Sequence, residues 1–344
     1  MKILCSADWH LDAPMAAGDE ALRAASLALP GKLADLCKQE NCDLVLLSGD
    51  IFDGAYTADS LNALRTALRE MAVPVFIAPG NHDFVGAASP WLTEKFPENV
   101  HIYTSPRLEA VHLSAHDLTV WGAGYTGMDC PALLENFYAG EGNHICVLHG
   151  DPTLATSPYC PISRAQVEHS GLRLLALGHI HKGGAFTAGS TLCLWPGCPM
   201  GRGYDETGEK GAVVVDLDSA EMRFVPLDTP RFYDLTCAPT ELSTVLPAAG
   251  DDHYYRVTLE GESEPIDLIS LRAQYAHFPH LTLRDRTTAP LNIWGSAGED
   301  TFEGTYFGLL RQALENAADQ DKETVLLAAR LSRQLLEGQE VRLP

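Results

Sequence analysis

The chain has 344 residues, a hydrophobic fraction of 46%, nine cysteines and a formal charge of −22. That length suits one large domain plus a smaller one, while the absence of any apolar run of ~18 residues argues against a membrane span, and the early Asp8 argues against a signal peptide, so a cytoplasmic protein with no membrane partner is expected. The cysteines are odd in number and scattered, without a Cys-x-x-Cys pair, which disfavours a disulfide framework or structural zinc site; the acidity, with no basic run, counts against tight unaided binding to a polyanion.

Residues 2–6 read as a first strand. Residues 20–39 have helical apolar spacing through Leu22, Leu27, Leu33 and Leu36, and Pro30-Gly31 is expected to break or kink that helix. Residues 44–48 form a second strand. Residues 57–71 form an amphipathic helix with Leu61, Leu64 and Leu68 on one face, and 75–78 a third strand. A looser region follows, with His101-Ile102-Tyr103, an apolar stretch at 118–121 and small residues at 122–125. Residues 144–148 and 172–177 read as buried strands. Residues 192–195 and 211–217 read as hairpin-forming strands around a glycine-rich loop.

Strand–helix alternation followed mostly by strands predicts a layered α/β domain over 1–230. Beyond it, strands at 232–236, 254–259 and 280–283 and short helices at 240–246 and 266–275 make a small α+β unit, 231–292. A Gly/acidic linker at 295–304 then leads to two closing helices, 307–319 and 323–336, in the segment 293–344.

Five polar clusters occur in order, each after an apolar strand: Asp8-Trp9-His10; Gly49-Asp50 with Asp53; Asn81-His82-Asp83; His149; and His179-Ile180-His181. Mixed carboxylate, imidazole and amide ligands suit borderline divalent ions such as Mn²⁺, Fe²⁺ or Zn²⁺. In extended backbone the i,i+2 pairs Asp8/His10 and His179/His181 would each point to one side. The inventory suffices for two ions ~3.5–4 Å apart with one bridging carboxylate, and Asp50, directly after a glycine at a strand end, is best placed to bridge. A strand-end Asp alone is often only a turn or helix cap, and Asp53 stays open between ligand and cap. The remaining histidines lack a strand-end context and are assigned to core or surface.

Asp-x-His, Gly-Asp, Gly-Asn-His-Asp, a later His and Gly-His-x-His together resemble the calcineurin-like metallophosphoesterases over residues 1–227. The resemblance implies a four-layer α-β-β-α sandwich with two metal ions at one edge. Carried over residue by residue, it puts Asp8, His10, Asp50 and His181 on the first ion. It puts Asp50, Asn81, His149 and His179 on the second. His82 is left as proton donor to the leaving oxygen, and Asp83 is expected to hydrogen-bond its ring.

Finer text is similar to the DNA repair exonucleases of the SbcD type. It comprises Ala7-Asp8-Trp9-His10-Leu11-Asp12, Gly49-Asp50-Ile51-Phe52-Asp53, Leu177-Gly178-His179-Ile180-His181-Lys182 and Trp195-Pro196-Gly197-Cys198-Pro199. Cys198 stands where Ser is usual, and some relatives carry His at the position of Asp53. This similarity implies a Mn²⁺-dependent DNA exonuclease or endonuclease subunit, Arg202 or Lys182 touching the substrate backbone, a DNA-facing α+β cap, and a coiled-coil ATPase partner of the SbcC type. The apolar positions Phe307, Leu309, Leu310, Leu314, Leu326, Leu327, Leu331 and Leu335 suit docking of that partner or packing on their own domain. Homodimerisation is open. The alternative is a metallophosphoesterase for a nucleotide or other small phosphoester, which the acidity favours.

Overall fold

The computed structural model describes residues 1–14 and 19–338. The chain divides into two compact units between Tyr233 and Asp234. In chain order the first unit runs β1 (Lys2–Ser6), α1 (Glu20–Glu40), β2 (Leu44–Leu47), α2 (Ala58–Met71), β3 (Val75–Ile77), α3 (Pro90–Thr93), β4 (Val100–Ile102), β5 (Glu109–Leu113), β6 (Leu118–Gly122) and β7 (His144–His149). It continues with α4 (Arg164–His169), β8 (Leu174–Gly178), β9 (Gly184–Ala188), β10 (Thr191–Trp195), β11 (Gly211–Asp216) and β12 (Glu221–Pro226).

The strands form two six-stranded sheets, ordered β12-β11-β1-β2-β3-β4 and β5-β6-β7-β8-β10-β9. Alternate residues decide what each face meets. Ile3, Cys5, Leu44, Leu46 and Val213 of the first sheet share one buried core with Val120, Ile145, Val147, Leu174 and Leu194 of the second. The intervening residues Leu4, Val45 and Leu47 are also fully buried, so the outer face of the first sheet is covered. The helices α1 and α2 supply that cover with their buried stripes, Leu29, Leu33 and Leu36, and Leu61, Leu64 and Leu68. Outside the second sheet, Cys146, Leu148, Leu175 and Cys193 pack with Val167 of α4 and with loop residues Leu134, Cys160 and Ile162. The α-β-β-α sandwich is therefore present, its fourth layer built more from irregular segments than from helix.

Two local expectations change. Helix α1 runs unbroken through Pro30, capped by Asp19, whose side chain accepts from the Leu22 N–H, and closed by Asn41 in a left-handed conformation. Its fully buried neighbours Leu29 and Leu33 offset the single hydrogen bond that proline cannot make. The two expected hairpin strands lie in different sheets. β10 pairs antiparallel with β9 and parallel with β8, and β11 pairs antiparallel with β12 and with β1. Their true partners, Gly184-Ala185-Phe186-Thr187-Ala188 and Glu221-Met222-Arg223-Phe224-Val225-Pro226, are edge strands without an apolar run.

The strands β1, β2 and β3 are mutually parallel, as are β7 and β8. Their C-terminal ends launch the segments that start at Ala7, Ser48, Ala78, Gly150 and His179. This is the edge where open α/β sheets place chemistry.

The second unit holds β13 (Phe232–Cys237), whose first residues lie at the division, α5 (Leu242–Val245), β14 (Tyr254–Glu262), α6 (Leu268–Gln274) and β15 (His280–Thr288). Its sheet order is β13-β14-β15, with β14 and β15 parallel from Tyr254 opposite His280 to Glu262 opposite Thr288. Helices α7 (Phe302–Asn316) and α8 (Asp319–Leu336) follow. They form a hairpin: Arg333 lies 3.9 Å over the Phe307 ring, and Tyr306 Oη is 2.8 Å from Ser332 Oγ. Arg330 of α8 pairs with Glu262 of β14. No helix of the described residues is long and apolar enough to cross a membrane.

Candidate metal centre

The five clusters converge, but not by strand alternation. Asp8, His10, Asp50 and His179 lie beyond the strand ends in left-handed backbone, with φ of 56°, 46°, 51° and 93°. Such conformations cost non-glycine residues about 1–3 kcal/mol each and gather at functional sites. Backbone hydrogen bonds lace these loops together: Asp8 N–H to Gly49 O (3.0 Å), His10 N–H to Asp50 O (2.9 Å) and Leu11 N–H to Ile51 O (2.9 Å). The packing leaves no room for a side chain at Gly80, where a Cβ would stand 2.2 Å from Asp50 Oδ1 and 2.8 Å from the His149 ring.

Ligand-type atoms of Asp8, His10 and His181 fall within 4.8 Å of one another, as do those of Asp8, Asp50 and His149, and of His10, Asp50 and His82. His179 stands beside these groups, its ring centroid 5.3 Å from that of His149. It belongs to none of the three groups, whereas His181 belongs to one, so the i,i+2 pair does not join a single group. Burial, with the neighbouring His149 adding to it, pushes the His179 imidazole down to about 4, so this ring is neutral and able to act as a ligand.

The hydrogen-bonding pattern tests whether cations fit. His10 Nδ1 lies 2.9 Å from Asp53 Oδ1 and His181 Nδ1 lies 2.6 Å from Glu206 Oε1. With both Nδ1–H groups donated to carboxylates, the two Nε2 lone pairs face each other at 3.1 Å. His149 repeats the arrangement. Its Nδ1–H donates to Ser48 O (2.9 Å), and Nε2 then faces Asn81 Oδ1 at 2.9 Å and Asp50 Oδ2 at 3.4 Å. Acceptors facing acceptors at such distances fit an intervening cation. Hydrogen-bonded imidazoles of this kind are typical of metal-ligating histidine.

The carboxylates agree. Burial raises the Asp8 carboxyl, with His149 opposing and Asp50 adding to the rise. Burial also works to raise Asp50, yet positive charge beside it, carried by the His149 and His10 rings when they are protonated in the metal-free protein, and the His82 backbone N–H hold it below its ordinary value.

Two expected roles change. Asp83 does not touch the His82 ring. It points inward, and its carboxylate accepts from the backbone N–H groups of Gly80 (2.7 Å), Ile51 (2.8 Å), Asp50 (3.2 Å) and Phe52 (3.3 Å). Burial pushes this carboxyl up to about 7, Asp50 adds to the rise, and the N–H groups oppose it. The residue beside His82 Nδ1 is Asp53, at 2.8 Å. Asp53 is therefore shared between His10 and His82, and the hydrogen bond from His10 is the main cause of its lowered pKa.

Arg202 is likewise engaged rather than free. Its guanidinium makes a 2.8 Å hydrogen bond to Glu206 Oε1, the same oxygen that accepts from His181 Nδ1–H, so it positions His181 through Glu206. Lys182 is exposed. Sequence patterns do not single out Glu206, because it reaches His181 across 25 residues from a stretch with no recognisable motif. The hydrogen bonds of Glu206 to His181 and Arg202 outweigh its burial and hold its carboxyl well below the usual range.

Residues 1–183 match the family described as Calcineurin-like phosphoesterase. The chain is 30% identical over 248 residues to YhaO of Bacillus subtilis (strain 168), an uncharacterized metallophosphoesterase; the match covers 65% of this chain and 59% of YhaO, less than two thirds of that relative. It is 24% identical over 271 residues to the D component of the nuclease SbcCD of the same organism, covering 64% of this chain and 67% of that one. A dimetal phosphatase structure from Danio rerio is similar over 66% of this chain and 96% of its own, at 15% identity and a TM-score of 0.43.

Proposed function

The chain belongs to the calcineurin-like phosphoesterases, and from that premise we propose that it hydrolyses phosphodiesters of DNA with two divalent cations, as the cytoplasmic nuclease subunit of an SbcCD-like repair assembly whose coiled-coil ATPase docks on α7 and α8. One observation carries the hydrolase reading. His82, a partly exposed imidazole held on Asp53, stands beside ligand groups that share Asp8 and Asp50.

Asp8, His10, Asp50 and His181 would hold one cation, and Asp50, Asn81, His149 and His179 the other. Mn²⁺ suits this mixed set, with Fe²⁺ or Zn²⁺ as alternatives. When bound, such cations supply Lewis acidity toward a phosphoryl group. The chain's own residues orient the reaction. Asp53 occupies His82 Nδ1 and leaves Nε2 as the ring atom that gives a proton to the departing sugar oxygen. Glu206 and Arg202 fix the His181 ring, and Asp83 fixes the backbone from which Asp50 and His82 project.

DNA as substrate is supported by the SbcD-type loop sequences and by the relative named as a nuclease subunit. The charge of −22 favours a second reading, a phosphoesterase for a nucleotide or other small phosphoester. The two separate on a direct assay of the Mn²⁺-loaded protein with linear duplex DNA, bis-p-nitrophenyl phosphate and p-nitrophenyl phosphate. The nuclease reading expects turnover of DNA and of the diester; turnover of the monoester alone refutes it.

A further inference from the structure

The sandwich is open along one side, between the edge strands β9 and β12. A cavity of about 390 Å³ lies there, within the size range of small-molecule sites. Its walls are apolar and aromatic. Arg223 of β12 pairs with Glu40 of α1, so the alternate residues Met222 and Phe224 turn to the opposite face and line the cavity. They remain 49% and 43% exposed. β9 leaves the space open by presenting Gly184 and Ala185, and Trp195 of β10 lines it as well.

Two features connect this slot to the candidate metal centre. First, His181 lines the cavity and also belongs to the ligand group with Asp8 and His10. Second, the rim is positive in a chain of charge −22. Lys182 and Lys210 both line the cavity, and neither has an ion-pair or hydrogen-bond partner for its side chain among the described residues. The acidic rim residue Glu209 is matched by Arg231 at 3.2 Å. His82 faces a separate cavity with Phe52, Tyr56 and Phe84, which shares no residue with the slot. A leaving group that takes its proton from His82 therefore departs on that side, and the slot is free for the other substituent.

We propose that the slot between β9 and β12 binds the base of the nucleoside that stays attached to the reacting phosphorus, with Lys182 and Lys210 meeting its phosphate charge. This specificity site rests on the phosphodiesterase reading above. Charge complementarity and continuity with His181 select a nucleotide over an uncharged apolar partner.

The test compares two diesters with the same leaving group: thymidine 5′-(p-nitrophenyl) phosphate and methyl p-nitrophenyl phosphate. The Mn²⁺-loaded full chain should prefer the thymidine ester in kcat/KM. Phe224→Ala should lower the ratio of the two kcat/KM values roughly tenfold, the scale of one lost base–aromatic contact. Ala185→Trp, which fills the slot from the β9 side, should lower it at least as much, and Lys210→Ala should lower it less. Calorimetric binding of thymidine 5′-monophosphate to the metal-free protein should weaken in the same order. No preference in the unmodified protein, or a ratio unmoved by both Phe224→Ala and Ala185→Trp, overturns the slot while leaving the diesterase reading intact. Failure to cleave either diester, with p-nitrophenyl phosphate still hydrolysed, overturns that reading and the slot with it.

Discussion

Asp53 accepts from two imidazoles at once, His10 at 2.9 Å and His82 at 2.8 Å. One carboxylate thus orients a candidate ligand and the candidate proton donor, so the two functions are coupled through it. His82→Ala should retain both ions, measured as metal content after dialysis, and lose turnover by ~10²–10⁴-fold, the usual scale of general acid catalysis. Asp53→Asn should behave differently. It should weaken metal binding by roughly 10–100-fold, as loss of a carboxylate behind a ligating histidine does, and lower turnover as well. Loss of metal from His82→Ala would instead make His82 a ligand. In the sequence, Asp53 can be read as a ligand or a turn cap; neither role is that of a shared hydrogen-bond acceptor, because His10 arrives from a different loop.

At the scale of elements, the decisive group is Asp83. It ties the loop after β3 to the loop after β2 through four backbone N–H groups, those of Gly80, Asp50, Ile51 and Phe52. Asp83→Ala would leave these N–H groups without their acceptor, and each buried unsatisfied donor costs about 1–3 kcal/mol. A clear drop in Tm of the metal-free protein is therefore expected, measured by thermal unfolding. A residue acting only on the His82 ring would leave that Tm unchanged. The same loops exclude a side chain at Gly80, which explains why the Gly-Asn-His-Asp turn needs its first residue.

At the scale of the molecule, α7 and α8 carry the partner proposal. Phe307, one of the apolar positions suited to docking, is fully buried under Arg333, and Arg330 is tied to Glu262. The hairpin thus packs partly within its own unit. The apolar side chains that remain open include Phe302, Leu309, Leu326 and Leu335. Truncation before Phe302 should preserve hydrolysis of bis-p-nitrophenyl phosphate and abolish pull-down of a coiled-coil ATPase; retained binding refutes docking through these helices. An ATPase that brings positive surface would also compensate a chain of charge −22, since exposed like charges repel a polyanion within about a Debye length of ~10 Å.

The amino-acid sequence by itself determined the layered α/β architecture and the order of the chemistry-bearing clusters, because buried strands announce themselves as short apolar runs and each cluster follows one directly. It also narrowed the ligand candidates, since Asp8, His10, Asp50, His149 and His181 are all brought within 4.8 Å groups. Only the tertiary structure decided who meets whom. Sequence adjacency assigned Asp83 to His82, but the chain turns at Gly80-Asn81 and sends Asp83 inward, while Asp53 comes from another loop to take its place. Glu206 reaches His181 from a motif-free segment, and β9 and β12 became edge strands without any apolar run. The physical reason is common to all three: local periodicity records which face of a strand is buried. Which side chains the loops bring together, and which segments without an apolar run join a sheet edge, are set by partners outside the segment itself.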